Sequence, residues 1–445
     1  MKKIIKNGKV FDGISNKIKQ QDILIIDGVI QNIGNIEIAD VDIEIIDASN
    51  YIVSPGFIDI HSHLREPGYE YKETIATGTR AASKGGFTTI CAMPTTIPAL
   101  DSKDSIDYFK DLCQQRSIIK VYPIGAVTMG REGKEIVEMQ SLVDSGVIGF
   151  SDDGEPIHDP NIMRMSLEYS RMVSRPIMNH CDDRGINYRG EGVMNDGFLA
   201  QRLGCNGIPN AAEASMLSRD IFLTELTGGL YHACHVSASQ SVDVLKIAKE
   251  RGINYSAEVT PHHLTITEDF ILGPTDQNRK QISENAYDTF AKVFPPLRTK
   301  SDIQALIQGI NSDLISIIAT DHAPHGYEDK MTTLNQAAFG ISNFETTLGS
   351  VLQLFHSKDI KLEKLLRCLT SNPAEFLGKK LGKLSKGYPA DIVILDLNEE
   401  WEVDISDFVS LGKNSPLQGV KFKGKVMQTL VDGEIVYSDK KGHDG

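Results

Sequence analysis

The sequence predicts an α/β protein, in which a (β/α)8 TIM barrel carries a small β-sandwich formed by both chain ends. Three observations lead to this fold class. Short β-branched runs alternate with longer helical segments through the middle of the chain. Eight such runs follow one another, which is the number that a closed barrel needs. Both chain ends carry short β-type runs without helices between them.

The length of 445 residues exceeds what one core usually holds, which is roughly 250 to 300 residues. We therefore expect two domains. Residues 55–384 form the predicted barrel, and residues 1–54 together with 385–445 form the predicted β-sandwich. The polar segment 276–292 is predicted to be a long loop.

The terminal elements are predicted from β-type runs and turn dipeptides. The N-terminal runs are 4–5, 22–26, 29–33 and 43–46, broken by the hairpin-turn signals Asn7-Gly8 and Asp27-Gly28. The C-terminal runs are 390–397, 419–422 and 426–437, the last interrupted by Asp432-Gly433. We expect a small antiparallel sheet at the N-terminus and pairing between the two ends.

The barrel elements follow from the change in rhythm between the two ends. The eight predicted strands are 56–60, 87–93, 119–126, 147–151, 176–180, 230–236, 254–260 and 314–320. Helical segments between them include 72–84, 161–173, 211–226 and 239–249.

Composition and charge narrow the classes of function. The chain has 40% hydrophobic and 24% charged residues, which is ordinary for a folded protein. Its formal net charge of −14 disfavours nucleic acid and acidic membrane surfaces as partners. No run approaches about 18 apolar residues and no signal peptide is evident, so we expect a cytoplasmic protein. Six scattered cysteines without a Cys-x-x-Cys pair predict reduced thiols.

Histidines and aspartates recur where the predicted barrel strands end. His61 and His63 are one residue apart at the end of the first strand, so their side chains point the same way and can chelate one metal ion. Later strands end at Asp153, His180, His235 and Asp321. Because these ends meet at one face of a barrel, we expect the six side chains to converge. The donor set suits Zn²⁺, with Mn²⁺ or Co²⁺ as alternatives.

Four motifs resemble the amidohydrolase superfamily, and class I dihydroorotases in particular. They are His-x-His-x-Arg-Glu-Pro-Gly at 61–68, Gly-Gly-Phe-Thr-Thr at 85–89, Asp-Asp-Gly at 152–154 and Ala-Thr-Asp-His-Ala-Pro-His at 319–325. The resemblance covers nearly the whole chain. It implies the reversible cyclisation of N-carbamoyl-L-aspartate to L-dihydroorotate in de novo pyrimidine biosynthesis.

The resemblance also implies a role for each metal ligand. His61, His63 and Asp321 would bind one zinc ion, His180 and His235 would bind a second, and Asp153 would bridge them. One or two ions per subunit are expected, with two favoured. Hydantoinases of the same superfamily bridge their metals with a carboxylated lysine. The fourth strand here offers Asp153, with Asp152 as the alternative, and no lysine, which favours the dihydroorotase branch.

The implied mechanism uses the metals and one aspartate. Two cations would lower the pKa of a bridging water, and the resulting hydroxide would attack the ring amide carbon. Asp321 is the predicted catalytic acid and base. Arg65 and His325 are predicted to hold a substrate carboxylate. The family resemblance places Phe339 and Gly340, within the run 337–340, against the pyrimidine ring.

Two positions depart from the family pattern. Thr95 stands where relatives carry an asparagine that binds the substrate carboxylate, and is predicted to make that contact with its single hydroxyl. Phe294 stands where relatives carry an asparagine that recognises the ring. These changes leave open a second interpretation, a hydantoinase-like or allantoinase-like hydrolase of another cyclic amide.

The remaining expectations concern partners and the other histidines. The resemblance implies a homodimer, and an association with aspartate transcarbamoylase is a further possibility for this family. A non-catalytic scaffold is a third hypothesis, disfavoured because all six metal ligands are present. The other histidines singled out are predicted to be structural: His158, His232, His262 and His263.

Overall fold

The computed structural model describes residues 2–15, 17–37, 42–273 and 286–439. The strands are β1 (Lys2–Phe11), β2 (Ile18–Ile26), β3 (Val29–Gly34), β4 (Glu44–Asp47), β5 (Ile52–Pro55), β6 (Phe57–Ser62), β7 (Phe87–Ala92), β8 (Lys120–Pro123), β9 (Ile177–Asn179), β10 (Met194–Asn195), β11 (Gly207–Ile208), β12 (Tyr231–Ala233), β13 (Tyr255–Val259), β14 (Ile317–Ile318), β15 (Ile392–Glu402), β16 (Lys421–Val431) and β17 (Glu434–Ser438).

The α-helices surround the central strands. They are α1 (Ile75–Lys84), α2 (Lys103–Arg116), α3 (Met139–Asp144), α4 (Pro160–Val173), α5 (Phe198–Leu203), α6 (Asn210–Thr227), α7 (Ser239–Glu250), α8 (Pro261–Thr265), α9 (Lys300–Asn311), α10 (Tyr327–Lys330), α11 (Thr347–His356), α12 (Leu362–Leu369) and α13 (Ser371–Leu377). Short 3-10 turns lie between them, among them Met129–Arg131 and Thr289–Ala291. No helix in the described ranges is long and apolar enough to cross a bilayer.

The two chain ends form one β unit, as predicted. Its eight strands run in the order β17-β16-β15-β5-β1-β2-β3, with β4 paired to β1. The ends meet where β5 and β15 pair antiparallel, Pro55 opposite Ile392. The expectation of a purely antiparallel N-terminal sheet was wrong, because β1 pairs in parallel with both β4 and β5. The runs 419–422 and 426–437 were predicted as separate strands, but β16 joins much of them.

The turn dipeptides divide into two outcomes. Asp27-Gly28 and Asp432-Gly433 connect neighbouring antiparallel strands with positive φ at both residues, as a hairpin turn requires. Asn7-Gly8 does not form the predicted turn. It lies inside β1 at a bulge, where Asn7 has φ 62° and its backbone N–H donates to Asp22 at 3.0 Å. An Asn-Gly pair suits a hairpin turn and a β-bulge equally, because asparagine tolerates positive φ in either.

The middle of the chain has the predicted arrangement of parallel strands. One sheet has the order β6-β7-β8, and another has the order β14-β13-β12-β9. Parallel bridges from Phe150 to Gly125 and to Ile177 connect them on one side, and a bridge from Ser62 to His322 connects them on the other. The predicted strand 147–151 is therefore reduced to a bridge at Phe150. Through these three bridges the parallel strands form a continuous ring.

The interior of this ring is packed with side chains and is not a channel. Both β6 and β7 are buried along their whole length, as strands covered on two faces are. The inner cluster contains Ile58, Ile60, Cys91, Met93, Ile124, Ile148, Met178, Cys234, Ile317 and Ala319. Because side chains fill the interior, a site can form only at an end of the barrel, and in this fold that is the end where the strands have their C-termini.

The predicted helices are present with small shifts at their ends. The segment predicted over 72–84 becomes helical only at Ile75, because Thr74 caps the helix by accepting from the Thr77 backbone N–H. Residues 276–285 of the predicted long loop lie outside the described residues. Its described end includes the turn Thr289–Ala291.

Two buried lysines join the segment after this turn to the segment 335–340. Lys330 donates to the carbonyls of Thr289, Lys292 and Ala338 at 3.1, 3.1 and 2.6 Å. Lys292 donates to the Ala337 carbonyl at 2.7 Å and lies 4.2 Å from the centre of the Phe339 ring. Burial lowers the pKa of Lys292 to about 8, and burial with the nearby charge of Lys292 lowers the pKa of Lys330 to about 7.

We predict that Lys330 makes the stability of the protein rise with pH. Between pH 7 and 9 the folded protein loses the Lys330 proton, whereas an unfolded lysine with a pKa of about 10.4 keeps it. The folded state therefore gains stability, on the order of 2 kcal/mol over this range. Lys330→Met abolishes this gain, which urea unfolding at pH 7 and pH 9 measures. Lys134→Met, at a 79% exposed side chain, is the control. An equal pH response in wild type and Lys330→Met contradicts the prediction.

Candidate active site

Asp153 lies at the centre of a cluster of four histidines at the C-terminal ends of the barrel strands. Its Oδ1 is 3.4 Å from His61 Nε2, 3.4 Å from His235 Nε2 and 3.8 Å from His180 Nδ1. Its Oδ2 is 3.4 Å from His63 Nε2. All five side chains are buried. The residues come from four different strand ends, as the barrel prediction required.

Asp321 is a second carboxylate that contacts two of these histidines, His61 and His63. Its Oδ1 is 3.1 Å from His63 Nε2 and 3.6 Å from His61 Nε2. Its backbone has φ 46°, in the left-handed region that few non-glycine residues adopt. Asp59 helps to hold this geometry by accepting hydrogen bonds from the backbone and the hydroxyl of Thr320, at 2.9 and 2.6 Å. The first and last barrel strands are thereby tied together directly below the cluster.

Glu258 supports the cluster from beneath and was missed in the sequence. Its Oε1 is 2.5 Å from His61 Nδ1 and accepts from the His235 backbone N–H at 3.2 Å. Its Oε2 is 3.1 Å from His232 Nε2. Burial raises the pKa of Glu258, but the charge of His61 and the contact with His232 outweigh burial and bring it to about 2. An acidic residue near the C-terminal end of the strand predicted over 254–260 was the available signal.

The donor atoms fit a bound cation. His61, His63 and Asp321 offer ligand atoms within 4.8 Å of one another, and so do His61, Asp153 and His235. His61 Nε2 is buried and has no hydrogen-bond partner among the described residues, while Glu258 fixes the opposite ring nitrogen. Buried carboxylates and imidazoles directed at one point are the donor chemistry of divalent metals.

The two remaining candidate ligands are placed differently. His180 belongs to neither of these sets, although its Nδ1 is 2.9 Å from His235 Nε2. Asp152 faces away from the histidines. Its Oδ1 accepts from the backbone N–H groups of Val127 and Thr128 at 2.8 and 3.1 Å. Asp153, and not the alternative Asp152, is therefore the carboxylate at the cluster.

A cavity of about 280 Å³ opens beside the cluster. All the predicted substrate-contact residues line it: Arg65, Thr95, His325, Phe339 and Gly340. Phe294, which replaces an asparagine of the family pattern, lines it as well. Tyr69, Lys72 and Arg131 also line it and were not singled out in the sequence. The lining combines aromatic surface with three positive side chains, Arg65, Lys72 and Arg131, which suit an anionic ring compound. Its acidic members are Asp153, Glu155 and Asp321.

Thr95 and His325 already have partners within the protein. Thr95 Oγ1 is 2.7 Å from His63 Nδ1. His325 Nε2 is 2.8 Å from the Phe339 carbonyl oxygen, and its Nδ1 is 3.3 Å from Lys72 Nζ. Burial and the positive charge of Arg65 lower the pKa of His325 well below its usual range. His325 is therefore a neutral imidazole in this site.

Phe294 forms an aromatic wall with its neighbours. Its ring centre is 4.4 Å from that of His180 and 5.2 Å from that of Phe339. A phenyl ring here offers stacking where an asparagine would offer hydrogen bonds.

The histidines predicted to be structural lie outside the cation sets. His263 contacts the Thr260 hydroxyl and the Pro295 carbonyl oxygen at 2.8 and 3.0 Å. His262 Nδ1 is 2.9 Å from the Asn343 side-chain nitrogen. His158 is exposed, and His232 is held by Glu258.

Comparisons with known proteins identify the family of this chain. A family model described as "Dihydro-orotase-like" matches residues 50–241, and one described as "Amidohydrolase family" matches residues 308–437. A dihydroorotase from Caldanaerobacter subterraneus subsp. tengcongensis is 45% identical over 99% of this chain and 98% of its own length. A dihydroorotase from Thermoanaerobacter sp. is 44% identical over 99% of both chains.

Solved structures confirm the barrel fold. An L-hydantoinase (dihydropyrimidinase) from Arthrobacter aurescens superposes with a TM-score of 0.85 at 25% identity, over 98% of this chain and 96% of that one. A dihydropyrimidinase from Brevibacillus agri has a TM-score of 0.85 at 22% identity, over 99% and 96% of the two chains, and shares the fold. With sequence identity of this extent over the full length, the chain belongs to the dihydroorotase family of the amidohydrolase superfamily.

Proposed function

We propose that this chain is a zinc-dependent dihydroorotase, which interconverts N-carbamoyl-L-aspartate and L-dihydroorotate in pyrimidine biosynthesis. One observation carries the assignment: Asp153 lies within 3.8 Å of nitrogen atoms of four histidines, beside a cavity lined by Arg65. Family membership directs the choice of substrate. The cavity supports it, since the positive side chains in its lining suit a ring that bears a carboxylate.

His61, His63 and Asp321 are the proposed ligands of one zinc ion, His180 and His235 those of a second, and Asp153 is the proposed bridge. When bound, the metal supplies Lewis acidity toward the scissile carbonyl and lowers the pKa of a neighbouring water. The buried carboxylates lie against imidazole nitrogens, and a bound metal would offset their charge.

Asp321 is the proposed catalytic acid and base. Burial raises its pKa, but the contact with His63 and the charge of His61 outweigh burial, so the pKa lies below its usual range. The carboxylate is therefore ionised and can accept a proton from the attacking water at Oδ. It then delivers that proton to the ring nitrogen as the amide bond breaks.

Arg65 is the proposed anchor of the substrate carboxylate, and Phe339 with Gly340 forms the wall beside the ring. Arg65 Nε donates to the Pro324 carbonyl at 3.1 Å, which fixes the guanidinium while leaving further N–H groups for an anion. Contacts of Thr95 and His325 with substrate remain predictions. So do a homodimer, an association with aspartate transcarbamoylase and a cytoplasmic location.

A hydantoinase-like or allantoinase-like activity is the second candidate. Thr95 and Phe294 favour it, because two amide groups are absent, one that would bind the dihydroorotate carboxylate and one that would recognise the ring. Arg65 and Lys72 in the cavity lining favour the carboxylated ring.

The first prediction tests the substrate. Zinc-loaded protein is expected to hydrolyse L-dihydroorotate at least about 10-fold more efficiently than hydantoin or allantoin, since a charged anchor is worth about 1.5 to 3 kcal/mol. Loss of the ring amide absorbance measures kcat/KM for each. Preference for a neutral ring would transfer the assignment to the second candidate.

The second prediction concerns proton transfer. Asp321→Asn keeps an oxygen at the same place but cannot shuttle a proton, so turnover falls about 10²- to 10⁴-fold while zinc stays bound. Steady-state kinetics and elemental analysis of the same preparation measure the two quantities. Asp313→Asn, at a 66% exposed carboxylate, is the control. Near-normal turnover by Asp321→Asn would exclude this role.

The third prediction concerns the support beneath the cluster. Glu258→Gln weakens the hold on His61 Nδ1, so metal affinity is expected to fall about 10- to 100-fold. Competition with a chromogenic chelator measures the affinity. Glu225→Gln removes a surface carboxylate paired with Arg251 and is the matched control. Equal metal retention by the two variants would show that Glu258 does not support the metal site.

A further inference from the structure

We propose that Lys72 is a second cationic anchor for the carboxylate of the substrate, acting beside Arg65. This inference rests on the proposed function and adds a specificity-determining residue to it. Lys72 lies in the segment between the first barrel strand and α1, and it lines the same cavity as Arg65 and Phe339.

The positions of the two cations are linked through His325. Lys72 Nζ is 3.3 Å from His325 Nδ1, and Arg65 Nη2 is 3.3 Å from His325 Nε2. The two positive groups therefore stand on either side of a single imidazole ring. Backbone bonds from Tyr69 to Arg65 and from Lys72 to Tyr69, at 3.1 and 2.9 Å, set the spacing along the chain. Both cations line the cavity that an anion would enter.

Two neutral groups at this wall, His325 and Thr95, are committed elsewhere. The contacts of His325 with the Phe339 carbonyl and with Lys72 occupy both ring nitrogens. Thr95 is engaged with His63. A carboxylate that enters the cavity therefore finds few free donors apart from the charged side chains.

Lys72 has one N–H group left for a ligand. An ammonium carries three N–H groups. One is directed at His325 and another at Asp329, whose Oδ2 is 3.3 Å away, so a third remains for a ligand. The rings of Tyr69 and Tyr71 lie 5.3 and 5.4 Å from Nζ and hold the stem in place through cation–π contacts. The side chain is 14% exposed, and such partial burial strengthens a charge-assisted hydrogen bond.

Arg131 is the other unassigned cation at the cavity and is a weaker candidate. Its Nη2 donates to the backbone carbonyl of Asp153 at 2.8 Å, so it holds the turn that carries the central carboxylate. Lys72 is preferred because it shares the His325 ring with Arg65, whereas the contact of Arg131 is with the turn at Asp153.

The test compares ligands that differ in one carboxylate. Wild type, Lys72→Met, Lys72→Arg and the surface control Lys134→Met are assayed in the zinc-loaded form with L-dihydroorotate. Dissociation constants for orotate and for uracil, the same ring without the carboxylate, are measured by calorimetry. Loss of one charge-assisted bond predicts a KM and an orotate dissociation constant raised about 10- to 100-fold in Lys72→Met.

The expected pattern separates binding from structural damage. In Lys72→Met, kcat changes less than about 3-fold and uracil affinity is unchanged, because the effect acts on substrate binding alone. Lys72→Arg recovers most of the orotate affinity, and Lys134→Met resembles wild type. Equal losses for orotate and uracil, or a fall in kcat at constant KM, would overturn the proposal. So would a wild type that binds orotate no better than uracil.

The two binding constants also keep this test independent of the proposed function. A wild type that binds orotate through Lys72 but does not hydrolyse dihydroorotate would refute the proposed reaction and retain the anchor. A wild type that hydrolyses dihydroorotate with no contribution from Lys72 would refute the anchor and retain the reaction.

Discussion

The crowding of acids and imidazoles around Asp153 is the constraint to which the rest of the site is adapted. Charged groups are stable away from water only when opposite charges and hydrogen bonds surround them. Asp153 and Asp321 are buried among four histidines, and Glu258 with Asp59 lies directly below. A cation bound at the centre would offset the repulsion between the carboxylates. Glu258 contacts the ring of His61, and Asp59 ties two strand ends together. The barrel supplies the rigid frame in which this balance holds.

The sequence was sufficient to predict how these groups converge. A barrel collects residues that are far apart in the chain at one face, so strand ends alone predicted that His61, Asp153 and Asp321 would meet. Long helices with regular periodicity were also predictable to within one to three residues at their ends. Both results depend on patterns that are local along the chain. Such patterns determine the local structure whatever the segment later packs against.

Features that depend on pairing were harder to predict. Asn7-Gly8 satisfies the backbone requirements of a hairpin and of a bulge, and only the neighbouring β2 decides between them. The parallel pairing of β4 with β1 has no local signal. Glu258 and Lys72 were missed for the same reason, because their importance comes from the side chain across the barrel or cavity. Family resemblance supplied the role of Arg65, but not the partners that occupy Thr95 and His325.

The pairing of Pro55 with Ile392 has a consequence for synthesis of the chain. One edge of β5 is covered by β1 early, but the other edge waits for β15, which leaves the ribosome after the whole barrel. At about 5 to 20 residues per second, that interval lasts tens of seconds. During it the nascent chain presents an apolar strand with an open row of backbone groups, the kind of edge that invites unwanted association. Emergence of β15 covers this edge, so a strand made after the barrel protects one that is made before it.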